Sequence, residues 1–329
     1  MNAIVVKQIG RFEYVRVPDP APGSGEVLVQ VAVAGLCRTD LKLIEVGHRD
    51  LVLPRIPAEE VVGEVIGIGA GVSVNWMGKR VYLYPGTSCG KCPPCLVGAG
   101  NLCREMRIMG FHRDGGFAER VVAPVDSLIE LPEGLSYEAA VFAEPLSCCL
   151  NALELARLKP GERIGIWGGG PAGTLLERAA RSMGAASLVM EPDAGRRQGD
   201  RLAGMPAGLV LDVAIVAVGD ARAYQQAFSA LGPRGRLVVF SGLLREAAIQ
   251  SLDLNRLHYL EQTVVGAYGC SRRHGEQALE WIAARRIDVE DLITHRLPLS
   301  ELGRALDLVR HRVAMKVLMY PMGKGSCNE

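Results

Sequence analysis

The chain carries almost no net charge: 37 Lys and Arg face 36 Asp and Glu, a formal +1 over 329 residues. This lack of basic excess argues against a nucleic-acid binder, whose phosphate contacts need clustered cations. No uninterrupted apolar run is long enough for a membrane-spanning helix, although 49% of the residues are hydrophobic. The opening MNAIVVKQIGRFEYV also lacks the apolar core of a secretory signal, since Lys7 and Arg11 break it early. Internal repeats and low-complexity linkers are missing too. What remains is the expectation of an ordinary cytoplasmic enzyme, acting on a small soluble substrate and long enough for two domains with cores of their own.

Against these absences stands a concentration of cysteine. Cys89, Cys92, Cys95 and Cys103 lie in the run CGKCPPCLVGAGNLC, where a tight Gly/Pro turn gathers three thiols and a small loop returns the fourth. The spacing suits one tetrahedral zinc ion. Four thiolates leave no open position for substrate, so such a zinc holds a lobe together and takes no part in chemistry. A disulfide pair and an iron–sulfur cluster are the other readings of these residues. The first is disfavoured by further cysteines outside the run and by the lack of a secretory signal.

The texture of the chain changes near residue 150. Before it, short β-branched runs such as EVLVQVAVAG and VVGEVIGIGAG are punctuated by Gly and Pro, as in an all-β domain. After it, ERIGIWGGGPAGTLLERAARSMGA and SLVMEPD read as strand, glycine turn, helix and strand, a βαβ unit of a parallel sheet. Gly168, Gly170 and Gly173, with Pro171 and Ala172 between them, fit G-x-G-x-x-G in the context the motif requires. Such a turn lets a dinucleotide pyrophosphate approach a helix N-terminus. Glu191, at the end of the next strand, stands where a carboxylate holds an adenosine ribose. GIGAG at 67–71 has its third glycine one residue early and reads as a hairpin turn.

With these two signals the chain resembles the zinc-dependent medium-chain alcohol and polyol dehydrogenases, in particular the sorbitol/threonine dehydrogenase-like branch, along nearly its whole length. The resemblance implies an α/β protein in three stretches. A β-rich GroES-like catalytic domain with the structural zinc lobe covers 1–150, a doubly wound parallel-sheet (Rossmann) cofactor domain covers 151–288, and 289–329 return to the first domain. It also implies a homodimer or homotetramer that oxidises a small alcohol, or reduces a ketone, with NAD. GLCRTDLKL matches the family segment that supplies the first catalytic-zinc ligand, which puts Cys37 on the metal and Thr39 first in a proton relay. The same match sets Arg38 near the cofactor phosphates, Asp40 behind the ligands, and Lys42 where such relays often end in a histidine. Each has a plainer reading as well: Arg38 and Lys42 as solvated cations, Asp40 as a turn residue, Cys37 as a small buried hydrophobe.

Two departures stand out. The family's Gly-His-Glu triplet is here Ala58, Glu59 and Glu60, so the usual histidine ligand is gone. Carboxylate oxygen binds zinc at about the distance of an imidazole, so Cys37, Glu59 and Glu144 form the expected set. Glu144 comes from AEPLSCCLNAL, which resembles a Glu-Pro segment of the polyol branch, and Glu60 is either a ligand exchanging with water or a group behind the ligands. The added negative charge weakens zinc's acidity toward a bound alcohol. Secondly, the stretch between Glu191 and VAIVAVG is about half the family's length, which predicts that one strand and a helix are shortened or absent. Arg196 and Arg197 in that stretch would suit a 2′-phosphate, but Glu191 would repel it, so NAD is expected over NADP. Two other classes remain open: a zinc-free NAD(P)H-dependent reductase of activated double bonds, and a non-catalytic cofactor-binding relative. Retention of Cys37, Thr39 and Glu144 favours the dehydrogenase. His48, His112, His258 and His295 read as surface or satisfied core residues.

Overall fold

Strand Glu26–Leu36 organises the first half of the protein. In this computed structural model, which describes residues 1–197 and 199–323, Val27, Val29 and Val31 alternate inward and the stretch from Ala32 to Leu36 is buried on both faces. A strand buried on both faces has lost its polar alternation because neighbours cover each side. Strands Glu60–Ile68 and Lys316–Tyr320 flank it, both antiparallel, and Arg120–Pro124 pairs with its first half. The seven-stranded sheet runs from Ile293–Pro298 through these strands to Arg80–Leu83 and Leu128–Glu130. Its core joins Val29, Val31, Val61, Val81, Phe117, Val317 and Met319.

The chain divides into two units. One comprises Met1–Glu144 and the chain from Ser271 onward, and the other is Pro145–Cys270. The helix Arg272–Ala283, which the sequence pattern groups with the second stretch, belongs by its contacts to the first unit. Arg272 donates to the Asp126 carbonyl at 2.7 Å, and a methyl group on Gly275 would come within 3.0 Å of the Tyr82 ring.

The second unit is a five-stranded parallel sheet. Its order is Ala186–Met190, Arg163–Trp167, Leu211–Val216, Leu231–Val239, Thr263–Gly266. Helices Pro171–Ser182, Ala221–Ser229 and Leu254–Tyr259 fall between successive strands. After Ala186–Met190 the expected next strand is reduced to one parallel bridge between Met190 and Leu202, closed by Glu191 N to Leu202 O and Leu202 N to Val189 O, each 2.8 Å. No helix forms among the described residues from 191 to 210. This is the shortening the sequence predicts: too few residues remain for a strand and a crossover helix. No helix among the described residues is long and apolar enough to cross a membrane.

Candidate active site and metal centres

The four clustered cysteines converge. Helical turn Pro93–Leu96 is capped by Cys92 and carries Cys95, and a short 3₁₀ turn returns Cys103. The sulfur of Cys92 lies 3.5 Å from that of Cys95 and 3.8 Å from that of Cys103, and all four Sγ atoms fall within 4.8 Å of one another. A tetrahedron of sulfurs about 2.3 Å from a zinc ion has edges of roughly 3.8 Å, so the residues fit that metal. Backbone N–H groups of Cys89 and Glu105 point at Cys103 Sγ, at 3.2 and 3.3 Å. The Cys92 thiol is drawn down to about 6 by the backbone N–H of Arg104 and then that of Cys95, which favours the thiolate a metal requires.

The second candidate centre grows out of the end of strand Glu26–Leu36. Cys37 follows it directly and caps helix Arg38–Glu45. Asp40 enforces that turn: one carboxylate oxygen accepts from Cys37 N at 2.9 Å, the other from Ala58 N at 3.1 Å. One buried side chain thereby ties the Cys37 turn to the segment that presents Glu59 and Glu60. Ala58 itself sits at φ 89, in the left-handed region where the resembling family has glycine. Thr39 and Lys42 lie on the exposed side of the helix, as does Arg38, while Leu41, Leu43 and Ile44 face inward. Glu144 is half-buried in the first turn of helix Ala143–Leu155.

Glu60 is engaged by a residue the sequence reading did not single out. Lys316 Nζ lies 2.6 Å from each Glu60 oxygen, and the two side chains are 3% and 1% exposed, so the pair is sealed from water. Register explains the meeting. Glu60 stands opposite Gly35 on one side of the central strand, and Val317 stands opposite Leu36 on the other. The carboxylate crosses at Gly35, where a Cβ would lie 1.8 Å from Glu60 Oε2. Phe142 presents its ring 5.6 Å from the ammonium. The one hint in the sequence was a lysine opening the otherwise apolar strand KVLMY.

Charge in this cluster is unbalanced. Burial pushes the Cys37 thiol well above its ordinary value, and Asp40, Glu60 and Glu59 push it further, against Lys316 alone. Burial also raises Asp40 to about 6, despite its backbone hydrogen bond from Cys37. Lys316 resists the burial that disfavours its ammonium because Glu60, Cys37 and Glu144 hold it charged, above its usual value. A thiol and several carboxylates around one ammonium suit a divalent cation, in donor type and in charge. Among the described residues, Cys37, Glu59 and Glu144 are not drawn to one point as tightly as the four cysteines are.

In the second unit the glycine turn has its expected form. Gly168 adopts φ 105, Gly170 caps the helix and Pro171 opens it. A Cβ on Gly173 would sit 1.8 Å from the Gly168 carbonyl, so this glycine sets the close approach of helix to strand. Glu191 is buried and accepts from Gly169 N at 2.7 Å and Asp193 N at 2.9 Å. Arg201, unnoticed in the sequence, braces the turn from the shortened segment. It donates to Gly169 O at 3.0 Å, Thr174 Oγ1 at 2.7 Å and Glu177 Oε2 at 3.2 Å. Arg196 also approaches, its Nη1 lying 3.2 Å from where a Cβ on Gly170 would stand. The free N–H groups at this helix start are suited to a pyrophosphate.

Comparison with known proteins agrees with this geometry. The family model for the alcohol dehydrogenase GroES-like domain matches residues 23–133, and that for zinc-binding dehydrogenase matches residues 176–284. A 2-dehydro-3-deoxy-L-galactonate 5-dehydrogenase of Pseudoalteromonas atlantica is 30% identical over 303 residues, covering 87% of this chain and 88% of that one. A sorbitol dehydrogenase of Halalkalibacterium halodurans is 28% identical over 98% of this chain and the whole of its own. Among solved structures, a protein of Sinorhizobium meliloti 1021 described as a zinc-binding dehydrogenase, bound to NADP, superposes with a TM-score of 0.90 at 29% identity, over 97% of this chain and 99% of that one.

Proposed function

The chain belongs to the zinc-dependent medium-chain alcohol and polyol dehydrogenases, and from that premise we propose that it oxidises a secondary hydroxyl of a polyol, sugar or cyclitol-like compound with Cys37, Glu59 and Glu144 as the catalytic-metal ligands. The protein is an oxidoreductase using zinc and a nicotinamide dinucleotide. The observation that supports the ligand assignment is the Asp40 tie, whose two carboxylate oxygens accept from Cys37 N and Ala58 N and so hold the Cys37 turn beside the segment that carries Glu59.

Zinc held there would supply Lewis acidity toward a substrate hydroxyl, and a bound dinucleotide would supply the hydride acceptor. The chain's own groups do the remaining work. Thr39, on the exposed side of its helix, would accept the hydroxyl proton while giving its own outward to solvent, and the Lys42 ammonium, one turn further on, would favour the anion left behind. Asp40 keeps the Cys37 turn and the Glu59 segment in fixed relation, and Lys316 holds the Glu60 side chain in place. Glu191 and the Gly168–Gly173 turn take the dinucleotide, with Arg38 as a phosphate contact. NAD is the proposed cofactor on the strength of Glu191, with NADP as the alternative that Arg196 near Gly170 supports. Cytoplasmic location and a homodimer or homotetramer complete the proposal.

The test is zinc per chain in Glu59→Ala beside Glu60→Ala, with alcohol oxidation followed in parallel. Glu59→Ala is expected to lose one zinc and all turnover while the four-cysteine zinc stays. Two zincs retained in Glu59→Ala would remove this residue from the metal. A specific observation favours a second reading: Lys316 already places one cation among these acids. A wild type holding a single zinc, and reducing activated double bonds in place of oxidising alcohols, would establish the zinc-free reductase instead.

A further inference from the structure

His48 and His112 take no part in the mechanism proposed above, and the structure packs the segment of one against that of the other. Helix Arg38–Glu45 ends where Val46 N and Gly47 N both donate to Lys42 O, at 2.8 and 3.0 Å. The chain then runs against residues 108–112. Val52 N donates to Phe111 O at 3.1 Å, and the His48 ring meets Phe111 edge-on with centroids 5.0 Å apart. Each imidazole uses Nδ1 as an acceptor, His48 from Asp50 N at 3.2 Å and His112 from Ile108 N at 3.1 Å. A neutral ring that accepts at Nδ1 must carry its proton on Nε2, so both histidines offer an N–H donor.

Burial lowers the pKa of both rings, which keeps them in that neutral form. The charges acting on His48 are those of Asp50, Arg49, His112 and Lys42, and on His112 those of Asp50, Arg107 and Arg55. Asp50 is the largest single charge at each ring, and the cations outnumber it. The loop's carboxylate, Asp50, is turned to Arg49 Nε at 3.3 Å and to the Nδ1 side of His48 at 3.5 Å, away from Nε2. Asp114 is held by Arg55 at 2.8 Å. Lys42 stands three residues beyond Thr39 on the same helix, about 5–6 Å away between Cβ atoms.

We propose that Lys42, His48 and His112 form an anion subsite one helical turn from the proton-relay threonine, and that the substrate is an anionic polyol whose charged group lies a few carbons from the reacting hydroxyl. The inference deepens the dehydrogenase reading and rests on it. Three groups that each present an N–H donor reward oxygens that accept several hydrogen bonds, charge-assisted at the ammonium, as a carboxylate or phosphate does and a neutral hydroxyl does not. Sugar acids and polyol phosphates share that chemistry.

Initial rates on the zinc-loaded enzyme, with a six-carbon aldonate, the alditol of the same configuration and its phosphate, separate the possibilities. One anion is expected to exceed the neutral alditol at least about tenfold in kcat/KM, and which one does so identifies the anionic group. The double variant His48→Asn, His112→Asn keeps an acceptor for the two backbone N–H groups but lacks the Nε2 donors. It should raise KM for the anion about tenfold with kcat kept, and leave KM for the alditol unchanged. An alditol oxidised as well as its anions, or a variant that raises both KM values alike, overturns the subsite. If no alcohol is oxidised with NAD or NADP, the dehydrogenase reading fails, and titration calorimetry decides the subsite separately. Binding of the aldonate or the phosphate that weakens about tenfold in the double variant sustains it, and absent or unchanged binding of both overturns it.

Discussion

Lys316 shows how much one side chain decides. Its ammonium is the counter-charge that makes the buried Glu60 carboxylate tolerable, and removing one partner of a buried pair leaves an uncompensated charge. Lys316→Met is therefore expected to destabilise the protein by about 3–5 kcal/mol in urea denaturation, with Glu60→Gln added to it recovering most of the loss. Unchanged stability in the single variant would mean that the pair is open to water. Gly35 is the silent third member: any side chain there would collide with the Glu60 carboxylate. Glu59 sits beside this pair in sequence with the opposite assignment, which is why the two glutamates, identical in type, are expected to differ in zinc content when each is replaced.

Elements and lobes give tests of their own. The cysteine lobe has little core to stabilise it, since Leu96, Val97 and Leu102 are exposed, so metal binding must supply its folding energy. Cys92→Ser is expected to remove one zinc per chain and lower the melting temperature; unaltered zinc content by metal analysis would refute the four-cysteine assignment. In the parallel sheet, Arg236 on strand Leu231–Val239 donates to the carbonyls of Ala156 and Arg157 and to both oxygens of Glu162, the last at 3.0 and 2.6 Å. Burial raises the Glu162 pKa, but Arg236 and the Lys159 N–H outweigh it, so the folded value lies below 4.5. A depressed carboxylate contributes stability in full above its unfolded pKa and loses it as pH falls through the folded one. Glu162→Gln should thus lower stability at pH 7 and reduce the further loss between neutral pH and the acid range. A variant with the parent's full acid dependence below pH 4.5 would show that Glu162 is not the group responsible.

Taken as a whole, the protein joins a metal-binding unit to a dinucleotide-binding unit that lacks one strand and its crossover. The loss falls just after Glu191, and from the shortened segment Arg201 braces the glycine turn through Gly169 O and Thr174 Oγ1. Glu191, buried and accepting from Gly169 N, is the carboxylate we assign to the ribose. Glu191→Ala is expected to narrow the preference for NAD over NADP, measured as the ratio of kcat/KM values, by removing both a repulsion and a hydrogen-bond acceptor. A parent enzyme that already prefers NADP would contradict the role given to Glu191 and favour Arg196.

Much of this was legible from residues close together in the chain. The four cysteines span one short loop, the glycines one turn, and the alternation of Val in Glu26–Leu36 one strand, so each pattern carries its own geometry and local sterics suffice to read it. The missing histidine was equally plain, because a triplet is contiguous. Other features could not be read in this way. Lys316 and Glu60 stand 256 residues apart and meet only because their strands flank the same central strand in register. Arg201 reaches the glycine turn only because the segment before it is too short to form a strand of its own. The contact of His48 with Phe111, the chain neighbour of His112, and the place of helix Arg272–Ala283 in the first unit, depend likewise on which distant segments pack together. Local patterns in the chain name the metal and the cofactor; long-range strand pairing and burial decide that Glu60 meets Lys316, because a buried charge must find its partner wherever the fold brings one.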